Sequence, residues 1–395
     1  MPLAASAALA LALAAAQAPA PAPAGPPGPV VAPPPQAVQS LLFWDQATRD
    51  ANFRKMETVS PTHVIRHGNK VRLLPAGQPL GPVTWAHAGR PQTLDGYMAD
   101  EHVAGLMVLQ DGKVRFEKYG LGMTAADHWT SFSVAKSLTS TLVGAAVKDG
   151  LIRSVDDPIT RHLPELKGSG YDGVTVRQVL TMTSGVKWNE DYTDPKSDVA
   201  VSGSGAAPAG WDPVLWQMSR LPSEAKPGTK WVYKTGETNL IGVLVTRVTG
   251  KTLAQYAGEK IWAPYGMEAD GYWMHLPNGQ DFGGCCINVT LHDYARIGQF
   301  VLDGAPGVVP PGWLEVATRK QADIGAPGSG YGYQWWTQDD GTFAARGIFG
   351  QLIHIDPKRK LLIVINSSWP TATGPARSAA RTELIKAVTA AVDAG

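Results

Sequence analysis

Hydrophobic and polar positions alternate most clearly at the two ends of the chain. At 104–119 the runs GLMVLQ and KVRFEKY flank Asp111-Gly112. Aspartate followed by glycine suits a tight hairpin turn, because both central residues take positive φ. A second group of strand-like segments, 331–337, 342–346, 348–356 and 360–366, is divided by the turn-rich QDDG and DPKRK. Residues 376–393 then carry Leu384, Ile385, Val388 and Val392 at helical spacing and predict a closing helix. Between these ends, 133–325 reads mainly as helix and loop. Residues 38–100 carry few periods and are expected to wrap the outside of the fold. The simplest architecture is mixed α/β: one antiparallel sheet built from both termini, flanked by helices, with a largely helical inserted subdomain at roughly 150–325. No internal repeat is present.

Residues 2–16 form an apolar run without a preceding Lys or Arg, and Ala16-Gln17-Ala18 follows with the small-x-small pattern of a cleavage site. Residues 1–18 therefore read as a signal peptide and the protein as exported, periplasmic or secreted. Residues 19–37, dominated by Pro and Ala, read as a stiff extended linker that forms neither helix nor ladder. The remainder, 38–395, reads as one domain, with no later stretch apolar enough to span a bilayer.

The composition, 44% hydrophobic and 17% charged over 395 residues, is that of a globular protein. Thirty-five basic side chains against 34 acidic ones leave a net charge of +1, without the footprint of a nucleic-acid binder. The expected partner is a small molecule, and the sequence does not set the oligomeric state. The only cysteines, Cys285 and Cys286, are adjacent. Neighbouring Cα atoms lie about 3.8 Å apart, too close for unstrained disulfide geometry, so two buried free thiols are expected.

The chain has no G-x-S-x-G, no H-E-x-x-H and no phosphate-binding loop, and its nine histidines lack ligand spacing. No metal or cofactor is expected. S-x-x-K occurs at Ser133/Lys136, Ser184/Lys187 and Ser223/Lys226. Ser184 precedes Gly185, and Lys226 runs into Pro227-Gly228, so both of those pairs belong to turns. Ser133 alone opens a long helical run, which ends at Gly150 as a C-cap would. Residues three apart share a helix face, so the Lys136 ammonium can sit beside the Ser133 hydroxyl, and helix N-terminal amides can stabilise a negative oxygen there.

A second segment, Trp231 to Asn239 (WVYKTGETN), offers Tyr233 as a proton carrier, provided that a neighbouring cation lowers its phenol from its usual value near 10. The field of Lys136 is expected to do so. In a third segment, Arg346-Gly347-Ile348-Phe349-Gly350, the glycines allow close approach of a backbone amide to a substrate.

The order S-x-x-K, Y-x-T, then a glycine-bearing strand before the last helix resembles the class C β-lactamase-like serine hydrolases of the penicillin-recognising, β-lactamase/transpeptidase fold. Within them, TSFSVAKS, NEDYTDPKSD, YKTGETN, FGGCC and RGIFGQ resemble the 6-aminohexanoate-dimer hydrolase branch. The resemblance covers roughly 95–390. It implies an acyl-enzyme mechanism with Ser133 as nucleophile, Lys136 and Tyr233 moving protons, and the backbone amides of Ser133 and Ile348 as oxyanion donors. It also implies that Tyr192 contacts substrate. Thr235 stands where β-lactamases carry Asn, and Ala345-Arg346-Gly347 where they carry Lys-Thr-Gly. The missing lysine weakens recognition of a β-lactam carboxylate, although Arg346 lies next door.

Hydrolysis of a small linear amide or ester is the leading expectation. A β-lactamase or D-amino-acid peptidase, and a binding protein that captures acyl groups without releasing them, are the alternatives.

Overall fold

The computed structural model describes residues 30–31 and 41–394. The segment 1–18, read from the sequence as a signal peptide, and most of the linker lie outside the described residues. Within that linker Val30–Val31 pairs antiparallel with Ala207–Pro208, against the expectation of no ladder. The pairing falls on two adjacent β-branched residues that, unlike proline, carry an amide N–H to donate.

The predicted hairpin is present as Val103–Gln110 and Lys113–Tyr119, joined through Asp111 (φ 49°) and Gly112 (φ 71°). It completes an eight-stranded antiparallel sheet whose other strands come from the C-terminal third. Leu361–Ser367 pairs with Val103–Gln110 on one side and Leu352–Asp356 on the other, and the sheet continues through Phe343–Arg346, Trp336–Gln338, Ser329–Tyr331 and Ala322–Asp323. Both termini thus build one sheet, as the periodicity implied.

Alternate side chains of the central strands enter different cores, the period-two consequence of the pleat. Leu106, Val108, Ile363 and Ile365 face Leu384, Val388 and Val392 of the closing helix Pro375–Ala394 and Tyr97 of the helix Leu94–Asp100. Met107, Leu109, Leu362 and Val364 face the larger core, which holds the helices Val134–Lys148, Thr235–Thr249 and Leu291–Leu302. A sheet covered on both faces explains why its middle strands are apolar throughout.

Several expectations need correction. The segment read as 331–337 is two strands, split where Gln334 (φ 64°) turns the chain. Its carbonyl accepts the Ser137 hydroxyl at 2.7 Å and its amide oxygen accepts the Thr238 hydroxyl at 2.7 Å, so the break ties the sheet to the helices Val134–Lys148 and Thr235–Thr249. The segment read as 348–356 begins with a 3₁₀ turn, Ile348–Gly350, before the strand Leu352–Asp356. Residues 38–100 do not merely wrap the outside, because Phe53, Met56 and Ile65 are fully buried. Thr62–Ile65 edges a second antiparallel sheet with Gly271–Met274, Ile287–Val289 and Trp129–Thr130. These strands are two to four residues long, too short for periodicity to register.

Cys285 and Cys286 are joined to each other as a disulfide, not free.

Candidate active site

The short second sheet delivers Ser133. Trp129–Thr130 pairs with Ile287–Val289, and the Ser131 amide donates to the Ile287 carbonyl at 2.8 Å while the Ser131 hydroxyl accepts from the Ile287 amide at 2.9 Å. The chain then reverses at Phe132, held at φ 45° between Phe53 and Phe349. A left-handed bulky residue is strained, and the aromatic packing holds it there. The helix Val134–Lys148 starts immediately afterwards, with Ser133 as its N-cap residue. The Ser133 side chain makes no capping hydrogen bond, so its hydroxyl is not committed to the helix. The helix ends before Gly150 at φ 76°, the left-handed stop read from the sequence.

One turn on, Lys136 is 1% exposed. Its Nζ donates to the Gly284 carbonyl at 2.7 Å and to Thr235 Oγ1 at 3.0 Å, and lies 5.3 Å from the Tyr233 ring centre. Burial, only partly offset by the charge of Glu190, pulls its pKa down to about 8. Gly284 has to lack a side chain, because a Cβ there would meet Nζ at 2.9 Å and Thr235 Cγ2 at 2.8 Å.

Tyr233 stands just before the helix Thr235–Thr249, stacked on Trp336 at 5.6 Å and edge-on to Tyr331. Its shift is opposite to the one expected. Burial and then the Glu190 charge push the phenol far above its usual range, and the Ser133 side chain is the contact that opposes them. Lys136, which was expected to lower it, does not offset that burial. Tyr233 is a neutral phenol and Lys136 is the group poised near neutrality.

Gly347 follows the strand Phe343–Arg346 and abuts the turn before Ser133, where a Cβ would lie inside van der Waals contact of the Ser131 carbonyl oxygen. Ile348 follows, and neither its amide nor that of Ser133 is taken by a backbone carbonyl among the described residues. Both residues border both of two cavities. The smaller, about 60 Å³, is walled by Leu41, Leu42, Phe132, Val199, Phe282 and Cys285. The larger, about 340 Å³, holds Tyr233, Glu190, Trp336, Arg346 and Arg381. Tyr192 borders both.

The structure thus brings Ser133, Lys136, Tyr233, Thr235, Tyr192, Arg346, Gly347 and Ile348 to one cleft. The other two S-x-x-K serines lie elsewhere: Ser184 is buried with its hydroxyl on Glu237, and Ser223 bridges Val186 in a turn. Sequence reasoning missed two residues. Glu190 accepts hydrogen bonds from the Thr235 amide at 2.9 Å, the Tyr192 hydroxyl at 2.8 Å, the Thr235 hydroxyl and the Trp188 indole. It sits two positions before Tyr192 in NEDY, and that adjacency was the available signal. Arg381 lies on the closing helix three residues before Leu384, on the same buried face, where the apolar spacing alone was read.

The β-lactamase family model matches residues 91–387. The 6-aminohexanoate-dimer hydrolase of Paenarthrobacter ureafaciens is 30% identical over 356 residues, which span 84% of this chain and 88% of that protein. The esterase EstB of Burkholderia gladioli is 26% identical over 323 residues, 64% of this chain and 81% of that one. Among solved structures, a Bacillus anthracis protein provisionally named a 6-aminohexanoate-dimer hydrolase superposes with a TM-score of 0.72 at 20% identity. It covers 86% of this chain and 93% of its own, and at that identity the likeness speaks for the fold alone.

Proposed function

This chain belongs to the β-lactamase family, and on that footing we propose that it is a serine hydrolase cleaving a small linear amide or ester through an acyl-enzyme on Ser133. The observation that carries the reading is the convergence of a helix-start serine, a desolvated lysine one turn away and a neutral phenol from a distant segment on one cleft.

In this mechanism the neutral amine of Lys136 takes the Ser133 proton as Oγ attacks the carbonyl carbon. The tetrahedral oxyanion is held by the amides of Ser133 and Ile348, the two unengaged donors on the shared wall. Tyr233 gives its proton to the departing nitrogen or oxygen and regains one from the Lys136 ammonium. Water then attacks the ester, giving its proton to the same pair, and Ser133 leaves with a proton restored. The balance is one water consumed, one acid and one amine or alcohol released. Thr235 and Glu190 position Lys136 and Tyr192 without touching the reacting atoms.

The test is pre-steady-state hydrolysis of p-nitrophenyl butyrate. The protein should release nitrophenol in a stoichiometric burst and Ser133→Ala should not. A burst retained in that variant moves the nucleophile elsewhere. Export is also proposed, supported by the apolar segment 2–16 and the Ala16-Gln17-Ala18 pattern. N-terminal sequencing of the mature protein should begin near residue 19, and a mature chain that keeps Met1 overturns it.

A further inference from the structure

Leu41 and Leu42 open the described stretch 41–394, and both wall the smaller cavity beside Ser133. Leu41 is 1% exposed, and Leu42 is half-buried against the larger core. Their neighbours fix them in place. Trp44 stacks on Phe53 at 6.2 Å, and Asp45 starts the helix Gln46–Asn52, its carboxylate accepting the Thr48 amide at 2.7 Å. Gln46 donates to the Ser368 carbonyl at 2.6 Å and Arg49 to the Pro370 carbonyl at 2.9 Å, which ties this helix to the chain leaving the central sheet. Phe53, at the end of the helix, packs on Phe132 at 5.1 Å and on Phe349 at 5.6 Å. Phe132 precedes Ser133 and Phe349 follows Ile348, so one aromatic cluster holds both the leucines and the reacting wall. Close packing of this kind is stiff, and it sets how deep the cavity can be.

The two cavities assign the halves of the substrate. Ser133 and Ile348 border both, so the scissile carbonyl lies on the wall they share. Tyr233, the proton donor to the leaving atom, borders only the larger one. The leaving group therefore enters the larger cavity and the acyl chain the smaller. Besides the leucines, Phe132, Val199, Phe282 and Cys285 wall the acyl side, and no charged side chain of the described residues borders it. At roughly 10–15 Å³ for each water-sized occupant, its volume of about 60 Å³ takes about five non-hydrogen atoms. Beyond the carbonyl carbon, a butyryl chain places three atoms there, a hexanoyl chain five and an octanoyl chain seven.

Resting on the acyl-enzyme reading above, we infer that Leu41 and Leu42 set the acyl specificity: the substrate is an amide or ester of a straight, apolar acyl chain of about four to six carbons, and the two leucines exclude longer ones.

The p-nitrophenyl esters of acetate, butyrate, hexanoate and octanoate test this. They share one leaving group, so kcat/KM divided by the rate of alkaline hydrolysis reports the acyl side alone. From acetate to butyrate the wild type should gain about fourfold per methylene, the worth of burying each one. The gain should end by hexanoate, and octanoate should fall at least tenfold below the best ester. In Leu41→Ala and Leu42→Ala the octanoate-to-butyrate ratio should rise about tenfold or more, whereas in Leu42→Phe the hexanoate-to-acetate ratio should fall by a similar factor. The wild-type series needs no variant, so misfolding of any of the three leaves the proposal exposed. Ser133-dependent rates that keep climbing through octanoate, or that stay flat from acetate to butyrate, overturn this inference and leave the acyl-enzyme reading intact. An octanoate-to-butyrate ratio unmoved in both alanine variants also overturns it. Absence of a Ser133-dependent burst with all four esters removes both.

Discussion

Gly347→Ala isolates the oxyanion side of the site. The φ of Gly347 is −120°, an ordinary extended value, so any penalty is steric and not conformational. The added methyl meets the Ser131 carbonyl oxygen and, at 3.0 Å, Gln351 Cβ. Ser131 is held by both of its bonds to Ile287, and Gln351 is anchored by its side chain to the Ser367 carbonyl and the Trp129 indole. Neither neighbour can yield easily, so the strand end itself must retreat, by about 1 Å to restore an ordinary contact. That moves the Ile348 amide away from the oxyanion while Ser133, Lys136 and Tyr233 stay in place. A misplacement of about 1 Å costs on the order of 100-fold in rate, close to the loss of one oxyanion donor. The assay is burst and steady-state kinetics on p-nitrophenyl butyrate, with the Tm recorded alongside. The acylation rate should fall about 100-fold with KM little changed. An acylation rate within threefold of wild type would refute the assignment of this strand end as the oxyanion wall.

Other outcomes follow from the shifted groups. Because Lys136 acts as the free amine, kcat/KM should rise with pH as a single titration centred near 8, and a limb that falls across that range would contradict its role as base. The Glu190 charge raises the pKa of Lys136, so Glu190→Gln should move that midpoint to lower pH, whatever it does to the absolute rate; movement upward would exclude the electrostatic role. Burial raises the Glu237 carboxyl from 4.5 to about 7. A raised carboxyl pKa favours the folded state fully below 4.5, and that contribution is lost as pH rises through 7. The Tm of wild type minus that of Glu237→Gln should therefore decline from pH 4.5 to 7 and level off above, and a difference that grows over this range would reverse the assignment.

What the sequence made legible was local. Asp111-Gly112 announces its hairpin within four residues, and Gly150 stops the Ser133 helix. What it hid was decided at long range. Thr62–Ile65 becomes a strand because Gly271–Met274 offers it an edge, and nothing within its own four residues says so. Arg381 sits amid alanines and gains its meaning only where the closing helix passes Trp369 and Arg346. Glu190 looks like a loop carboxylate until four donors converge on it. The resemblance supplied Ser133, Lys136 and Tyr233 together because their order along the chain is itself a pattern, whereas the direction of each titration could come only from the packing.

That direction bears on how acid and base are divided. One cause, desolvation, acts on both groups with opposite sign: it disfavours the ammonium and so lowers Lys136, and it disfavours the phenolate and so raises Tyr233. Enclosing the pair in the same cleft is therefore enough to leave an amine ready to accept a proton beside a phenol ready to give one. The free amine becomes the prevailing form as pH rises through about 8.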